Sequence, residues 1–473
     1  MSGARGKRAA WIALVLLSGC AGLPPKPPAA QLPREVPLSP PPESSIGGHW
    51  PMTRWWTRYA DSTLDALIDQ ALRDAPSIAT AHARYLNARQ AVSVASAASG
   101  AQVQANADVS RQRLSSNGLF SPSLLGFDWY NQHDLGLSVS YTFDWWGKQR
   151  ATVEASLDEA HAAQAERSAA ALLLASSIAD TYFAWQADQA RIELARAREQ
   201  TIGREREIAA ARVEAGVAPP DELDRTEQSL ASAREQLAEL EGSAALRVVA
   251  LAGLLGCSTA ELPPLHARSL PAIDAALPDD VRIDLIARRA DITASRWRVE
   301  AAEEDRRSAR ADFFPNVSIN ALIGVQSIDA GKLLEYSSRV PGAGAALHLP
   351  IFDAGRLKAR YGASDAAVNA AVASYRDTLV AAAREVANEA TTLNRLAAER
   401  AQHLRALEAA AALKASAAAR VAQGVVDPRT ELSATESWLG ERDALVELDA
   451  AVLAANIGLT QALGGGFERS AQP

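Results

Sequence analysis

Apolar and polar residues alternate with period two in four short stretches, and nearly all the rest of the chain repeats at helical spacing. In Gln102–Ser110, Val103, Ala105, Ala107 and Val109 alternate with Gln102, Gln104, Asn106, Asp108 and Ser110. Leu135, Leu137, Val139, Tyr141 and Phe143 then alternate with Gly136, Ser138, Ser140 and Thr142. After Pro315 the apolar set is Val317, Ile319, Ala321, Ile323 and Val325, and the last is Ala343, Ala345, Leu347, Leu349 and Ile351. Side chains on a strand point alternately to its two faces, so each stretch predicts a β-strand with one apolar and one small or polar face. Arg113 to His133, with Phe120, Phe127, Trp129 and Tyr130, reads as a loop that is long for a hairpin.

The helical stretches are unusually long. Asp61 to Ser99 places Leu64, Leu67, Ile68, Ala71 and Leu72 at helical spacing and is interrupted at Pro76. Lys148 to Ala215 has no proline and a single glycine, Gly203; at ~1.5 Å per residue it predicts a helix of roughly 100 Å. Gly216 and Pro219-Pro220 stop it, and Asp221 and Glu222 supply acids to the first turn of a returning helix that runs to about Gly256. The plan then restarts, with a helix from about Asp279 to Asp312 and a second very long one from Gly355 to Gln423. Gly424 and Pro428 stop the latter, and a last helix closes at Gly464-Gly465-Gly466. Gly216 and Gly424 both stand where a helix C-terminus favours a positive φ.

Twice a strand is spliced directly onto a helix, in "LGLSVSYTFDWWGKQR" and "AALHLPIFDAGRLKAR", with Asp353 following Asp144 by 209 residues. Asp144, Gly147, Asp353 and Gly355 are the expected joints, the acids serving as helix caps. The hairpin tips match too, "RVEAGVAPPDELDRTEQSL" against "RVAQGVVDPRTELSATESWL", so the chain is internally duplicated. The expected plan is a signal peptide over 1–19, a lipidated Cys and Pro-rich tether over 20–49, a first repeat over 50–256, a connector over 257–278, a second repeat over 279–466 and a tail over 467–473.

Four strands of about ten residues suit a transmembrane barrel, where ~9–11 residues cross the bilayer, yet four cannot close one. An open sheet in lipid leaves edge N–H and C=O groups unpaired, so several copies must pool their strands. Long Ala-rich helices need each other to bury a face, and their small side chains permit close approach. The fold class expected is mixed helical and transmembrane β: a closed ring of strands continued by a ring of helices. The Trp145-Trp146 pair suits the interfacial belt.

The N-terminus carries Arg5, Lys7 and Arg8, an apolar run from Trp11 to Leu17 and then Ser18-Gly19-Cys20, the order of an export signal too short to span a bilayer. "LLSGC" resembles the lipobox of bacterial lipoproteins, which implies acylation of Cys20, and Ala21 after it favours the outer membrane. One acyl chain anchors only marginally, so further acyl chains such as palmitate, or a second membrane element, are needed. Ala21 to Gly48 holds nine of the 23 prolines and reads as an extended tether. Acylation of Cys20 leaves Cys257 as the only thiol, which rules out an intrachain disulfide. With 48 Lys+Arg against 56 Asp+Glu before the basic signal is removed, the mature chain is acidic, which argues against a nucleic-acid partner.

No catalytic constellation emerges. The seven His residues are scattered without a His-x-x-x-His pair or a His/Cys cluster, and "GVAPP" and "LGGG" lack the Lys and strand context of a phosphate loop. The expectation is no enzyme, no metal and no cofactor. Two classes of function remain, a passive channel and a non-porous periplasmic coiled-coil lipoprotein, and the latter leaves four amphipathic strands unexplained.

From Trp50 to Gly466 the chain resembles the TolC-type outer-membrane efflux channels, in their NodT-like lipoprotein branch. The motifs are "WWTRYADSTLDALIDQALRDAPSI", "YTFDWWGKQR", "DLIARRADITASRWRVEAA", "FFPNVSI", "LPIFDAGR" and "LTQALGGG". The resemblance implies a homotrimer with a twelve-stranded barrel in outer-membrane lipid and a periplasmic helical tunnel. It also implies tips at Gly216 and Gly424 that meet a periplasmic adaptor, with energy from an inner-membrane pump. Two departures stand out. Arg289-Ala290-Asp291 replaces the family's frequent Arg-Pro-Asp, so the helix need not break there, and Ser433 stands where relatives often place a gate aspartate. Asp427 and Glu431 become the gate candidates.

Overall fold

The computed structural model describes residues 46–117, 120–272, 277–278 and 281–468, with positions 28, 30–33 and 35. The signal segment and Cys20 lie outside the described residues. In chain order the elements are β1 (Ile46–Gly48), α1 (Ser62–Asp74), α2 (Pro76–Ala98), β2 (Gln102–Arg113), β3 (Trp129–Phe143), α3 (Lys148–Glu214) and α4 (Pro220–Leu255). The second half adds β4 (Leu277–Pro278), α5 (Val281–Arg288), α6 (Ala290–Ala311), β5 (Asn316–Ser327), β6 (Arg339–His348), α7 (Arg356–Ala422) and α8 (Arg429–Ala462). The chain divides into two compact units, one of residues 1–32, 85–162 and 295–375, the other of residues 33–84, 163–294 and 376–473.

The first unit holds one antiparallel sheet in the order β2-β3-β5-β6. Its register is the one the alternation requires. Val103, Ala105 and Ala107 stand opposite Val139, Leu137 and Leu135, which in turn oppose Ala321, Ile323 and Val325, and Ala321 and Ile319 oppose Ala343 and Ala345. A slip of one residue on any strand would turn its apolar set to the other face, so four sets agreeing across three ladders pins the register. Two strand limits differ from expectation. β2 and β3 pair as far as Arg113 and Trp129, so Trp129 to His133 belong to a strand and the loop shrinks to residues 114–128. β6 runs from Arg339 to His348 rather than to Ile351, ending before Pro350, which has no N–H to give a ladder.

The second unit is built around Trp55, Tyr59, Leu64, Leu67, Ile68 and Ala71, packed against Ile178, Tyr182, Phe183, Leu251, Leu453 and Ile457. Asp61 caps α1 by accepting from the Thr63 and Leu64 backbone N–H groups at 2.9 and 3.3 Å, and its second oxygen accepts from the Tyr182 hydroxyl at 2.8 Å. Burial, and the Asp61 carboxylate beside it, push the Tyr182 phenol up to about 12.

One expectation fails here, and one segment gains a partner. The end of the extended tether, Ile46–Gly48, pairs in parallel with Leu277–Pro278 of the connector. The helix expected from Asp279 to Asp312 is broken at Arg289, although no proline stands there. The reason is tertiary: the Arg289 guanidinium is buried, and it donates to Asp291, to Glu385 and to the Ala462 carbonyl. A buried guanidinium with three acceptors is well compensated for its desolvation.

Candidate functional site

The sheet separates charge and polarity by face. On the even-numbered face lie Gln102, Gln104, Asn106, Asp108, Gln132, Asp134, Ser138, Ser140, Asn320 and Gln326, a lining that water wets. On the odd-numbered face Val103, Val109, Leu135, Leu137 and Ile323 are exposed, which in water would leave a broad apolar surface uncovered. Among the described residues the outer edges of β2 and β6 pair with no strand.

All four passages between strand and helix lie at one end of this sheet, and the two loops, 114–128 and 328–338, lie at the other. At the first joint Asp144 accepts from the backbone N–H groups of Gln149 and Arg150 at 3.0 and 2.8 Å, and Gly147 has φ +73°. At the second, Asp353 accepts from Gly355 and Leu357 at 3.0 and 2.7 Å, with Gly355 at φ +87°. Each Asp therefore satisfies orphan donors of the long helix it precedes, and each Gly takes a backbone conformation that costs other residues energy. Trp146 stacks on Phe314 at 4.4 Å and donates from Nε1 to the Pro315 carbonyl at 2.9 Å, which ties the joint to the start of β5. Trp145 remains exposed, stacked on Phe143 at 5.6 Å. Asp312 lies between Lys148 and Arg360, at 2.6 and 2.9 Å.

The other ends of the long helices turn at Gly216 (φ +69°) and Gly424 (φ +68°). Both close with the same bond: Val217 N–H reaches the Arg212 carbonyl and Val425 N–H the Arg420 carbonyl, each at 3.0 Å. This is the bonding of a glycine-terminated helix, and it explains why both positions need that residue. The two turns are joined by charge. Arg429 donates to Glu222 at 2.9 Å and to Asp427 at 3.0 Å, while Arg212 lies 3.3 Å from Glu222 and 3.7 Å from Asp427. The Arg429 side chain and backbone, with Arg212 behind them, hold the Asp427 carboxyl below the ordinary carboxylate range.

Of the gate candidates, Asp427 thus belongs to a balanced cluster of two cations and two acids. Glu431 is half-buried in the first turn of α8, and Ser433 is exposed. Sequence reasoning placed Glu222 only as a first-turn acid and did not single out Arg429. The signal available was the Asp427-Pro428-Arg429 order, which lets an arginine fold back on the turn acid. Among the described residues no group of three His, Cys, Asp or Glu is placed to hold a metal, and no helix is long and apolar enough to cross a membrane.

A sheet with one apolar exposed face, two open edges and long helices leaving from one end defines a protomer of a membrane channel, completed by further copies. The family model for outer membrane efflux proteins matches residues 67–257 and 282–465. The multidrug resistance outer membrane protein MdtQ of Escherichia coli O157:H7 is 31% identical over 475 residues, spanning 96% of this chain and 97% of its own. MdtP of Escherichia coli K12 is 31% identical over 433 residues, 89% of this chain and 87% of its own. Among solved structures, the outer membrane protein VceC of Vibrio cholerae superposes with a TM-score of 0.78 at 32% identity, covering 89% of this chain and 100% of that one. The Campylobacter jejuni CmeC outer membrane channel reaches a TM-score of 0.85 at 20% identity over 95% of this chain and 96% of its own, a likeness of fold.

The chain belongs to the outer membrane efflux protein family. It is the outer-membrane channel of a tripartite efflux system: a homotrimer whose four strands per chain make a twelve-stranded barrel, continued by a periplasmic helical barrel. It works with a periplasmic adaptor and an inner-membrane pump. The odd face of the sheet therefore meets lipid and the even face lines the lumen, and three copies remove every open edge.

Proposed function

We propose that this channel passes drug-like small molecules out of the cell, with no chemistry of its own and all of its energy supplied by the pump. The observation that carries this reading is the polar face of Gln, Asn and Ser along β2 and β3, a wall that water can wet. The relatives MdtQ and MdtP, which carry multidrug resistance in their names, support the substrate class. The test is accumulation of a fluorescent dye and several antibiotics in cells that have the cognate pump and adaptor, with and without this chain. Restored efflux on re-expression is the expected result; unchanged accumulation for every compound refutes the substrate class.

Within that reading Cys20 is acylated and supplements the barrel as an anchor, Gly216 and Gly424 mark the adaptor-facing tips, and Glu431, with Asp427 beside it in sequence, sets cation preference at the periplasmic entrance. Cys20→Ser removes lipid labelling while trimers still insert; undiminished labelling overturns the lipid assignment. Gly216→Val or Gly424→Val places a branched side chain at a positive φ and lowers efflux at normal trimer level; efflux at the wild-type rate overturns the tip assignment.

A further inference from the structure

The lipid-facing side of the sheet changes character at its loop end on every strand. On β2 the apolar series Val103 to Val109 is followed by Arg111 and Arg113. Opposite these on β3 stand Asn131 and Trp129, beyond His133. β5 passes from Val325 to Ser327, and β6 begins with Arg339, the partner of Val325. No Asp or Glu occupies an odd-numbered position of the four strands, whereas both strand acids, Asp108 and Asp134, lie on the even face with no Arg or Lys. Three arginines therefore stand just past the apolar band on the outward surface, with no acid on their face.

Their surroundings hold them in place without neutralising them. The Arg111 guanidinium lies 5.5 Å from the Trp129 ring centroid and that of Arg339 lies 4.5 Å from the ring of Tyr336. Among the described residues, Arg111, Arg113 and Arg339 form no ion pair. An arginine stacked on an aromatic ring keeps its N–H fork free for a planar or tetrahedral oxyanion. Trp129 and Tyr336 are exposed, as amphipathic rings at a membrane–water boundary are. Because the helices leave from the opposite, periplasmic end, this rim lies at the outer leaflet, and the trimer repeats it three times.

We propose that Arg111, Arg113 and Arg339 form a rim that binds the phosphate groups of the phosphorylated glycolipid of the outer leaflet, the lipid A type. The fit is one of charge and level. A lipid whose acyl chains lie against Val109, Leu135 and Val325 carries its phosphates at the height where the wall becomes basic, and guanidinium–phosphate bonds are charge-assisted and bidentate. The same rim would resist vertical slippage of the barrel.

The test is titration of the purified full-length trimer, in a neutral detergent, with bis-phosphorylated lipid A, dephosphorylated lipid A and phosphatidylglycerol. With each interfacial arginine changing affinity about fivefold, the triple variant R111Q/R113Q/R339Q is expected to bind bis-phosphorylated lipid A on the order of a hundredfold more weakly. R111K/R113K/R339K, which keeps the charge but not the bidentate fork, is expected to fall between wild type and the glutamine variant, and R150Q at the periplasmic end changes nothing. Equal wild-type affinity for phosphorylated and dephosphorylated lipid A overturns the proposal, as does an unaltered titration of the triple glutamine variant. Equal binding of phosphatidylglycerol also overturns it, because the rim would then read negative charge in general. If the glutamine variant yields no trimer, the wild-type comparison among the three lipids decides.

Discussion

Asp108 and Asp134 stand directly opposite each other in the β2–β3 ladder, both on the lumen face, and Asp134 accepts a bond from Gln132 at 2.9 Å. Like charges opposite one another on a sheet destabilise it by roughly 0.2–1 kcal/mol, so the pair is a burden on folding that serves the lumen. Three copies place six carboxylates around the pore toward its outer end, and such rings favour cations. Asp108→Asn with Asp134→Asn is expected to leave trimers as heat-stable as wild type or more so, and to reduce cation preference. The measurement is the reversal potential across a planar bilayer under a salt gradient; a potential unchanged from wild type refutes the role.

Register gives a second test. Val139 lies among lipid-facing residues, paired with Val103 and Ala321, while Ser138 next to it faces the lumen with Gln104. Val139→Arg is expected to cost about 2–4 kcal/mol near the bilayer midplane and to lower trimer yield, while Ser138→Arg assembles. Similar yields of the two variants in the outer-membrane fraction would show the facing to be inverted.

Much of this architecture was legible because period-two alternation and proline-free alanine-rich runs are strong signals, and the duplication states each of them twice. The joints were legible for the same reason, Asp144 and Asp353 being caps whose donors follow within a few residues. What escaped depends on partners far apart in sequence. Arg289 breaks its helix through Glu385 and Ala462, and Ile46–Gly48 finds Leu277–Pro278 across more than two hundred residues. The Arg429–Glu222 link joins two tips that no local pattern relates. Charge pairs of this kind appear only once the hairpins lie side by side.

That link carries the third prediction. Arg429 binds an acid of each turn, so Arg429→Ala leaves Glu222 and Asp427 with Arg212 alone. Conductance and cation preference at neutral pH are expected to rise, because two bridged acids per protomer become available and the turns separate more freely. The pH dependence follows from Asp427, whose folded carboxyl lies below its usual 3.8. A depressed carboxyl contributes above the unfolded value and is lost as pH falls through the folded one. The Asp427 contacts with Arg429 and Arg212 therefore persist through mild acid and give way only below pH 3.8. Recordings in which Arg429→Ala matches wild type at both neutral and strongly acid pH would remove the bridge from the gate.

Asp158 supplies a test at neutral pH. It is 9% exposed on α3 and faces Glu300 and Glu304 of α6 as well as Glu154 and Glu159 of its own helix. The nearby cations are already engaged, Arg296 with Glu300 at 3.1 Å, Arg307 with Glu304 at 2.7 Å and Arg298 with Glu159 at 4.0 Å. Burial first, then these acids, push the Asp158 carboxyl from 3.8 up to about 7. Between those two values the folded chain holds a proton that the unfolded chain has released, so stability falls as pH rises across that interval. Below it both states are protonated; above it the buried charge is present in full and its cost no longer changes. Asp158→Asn keeps the shape and cannot ionise, which abolishes this part of the slope. The dissociation temperature of the variant trimer is expected to differ little from wild type near pH 4, to exceed it by a growing margin up to about pH 7, and to exceed it by a constant margin above that. Parallel curves over that range would mean that Asp158 is ionised throughout, its charge met by a neighbouring protomer or by water.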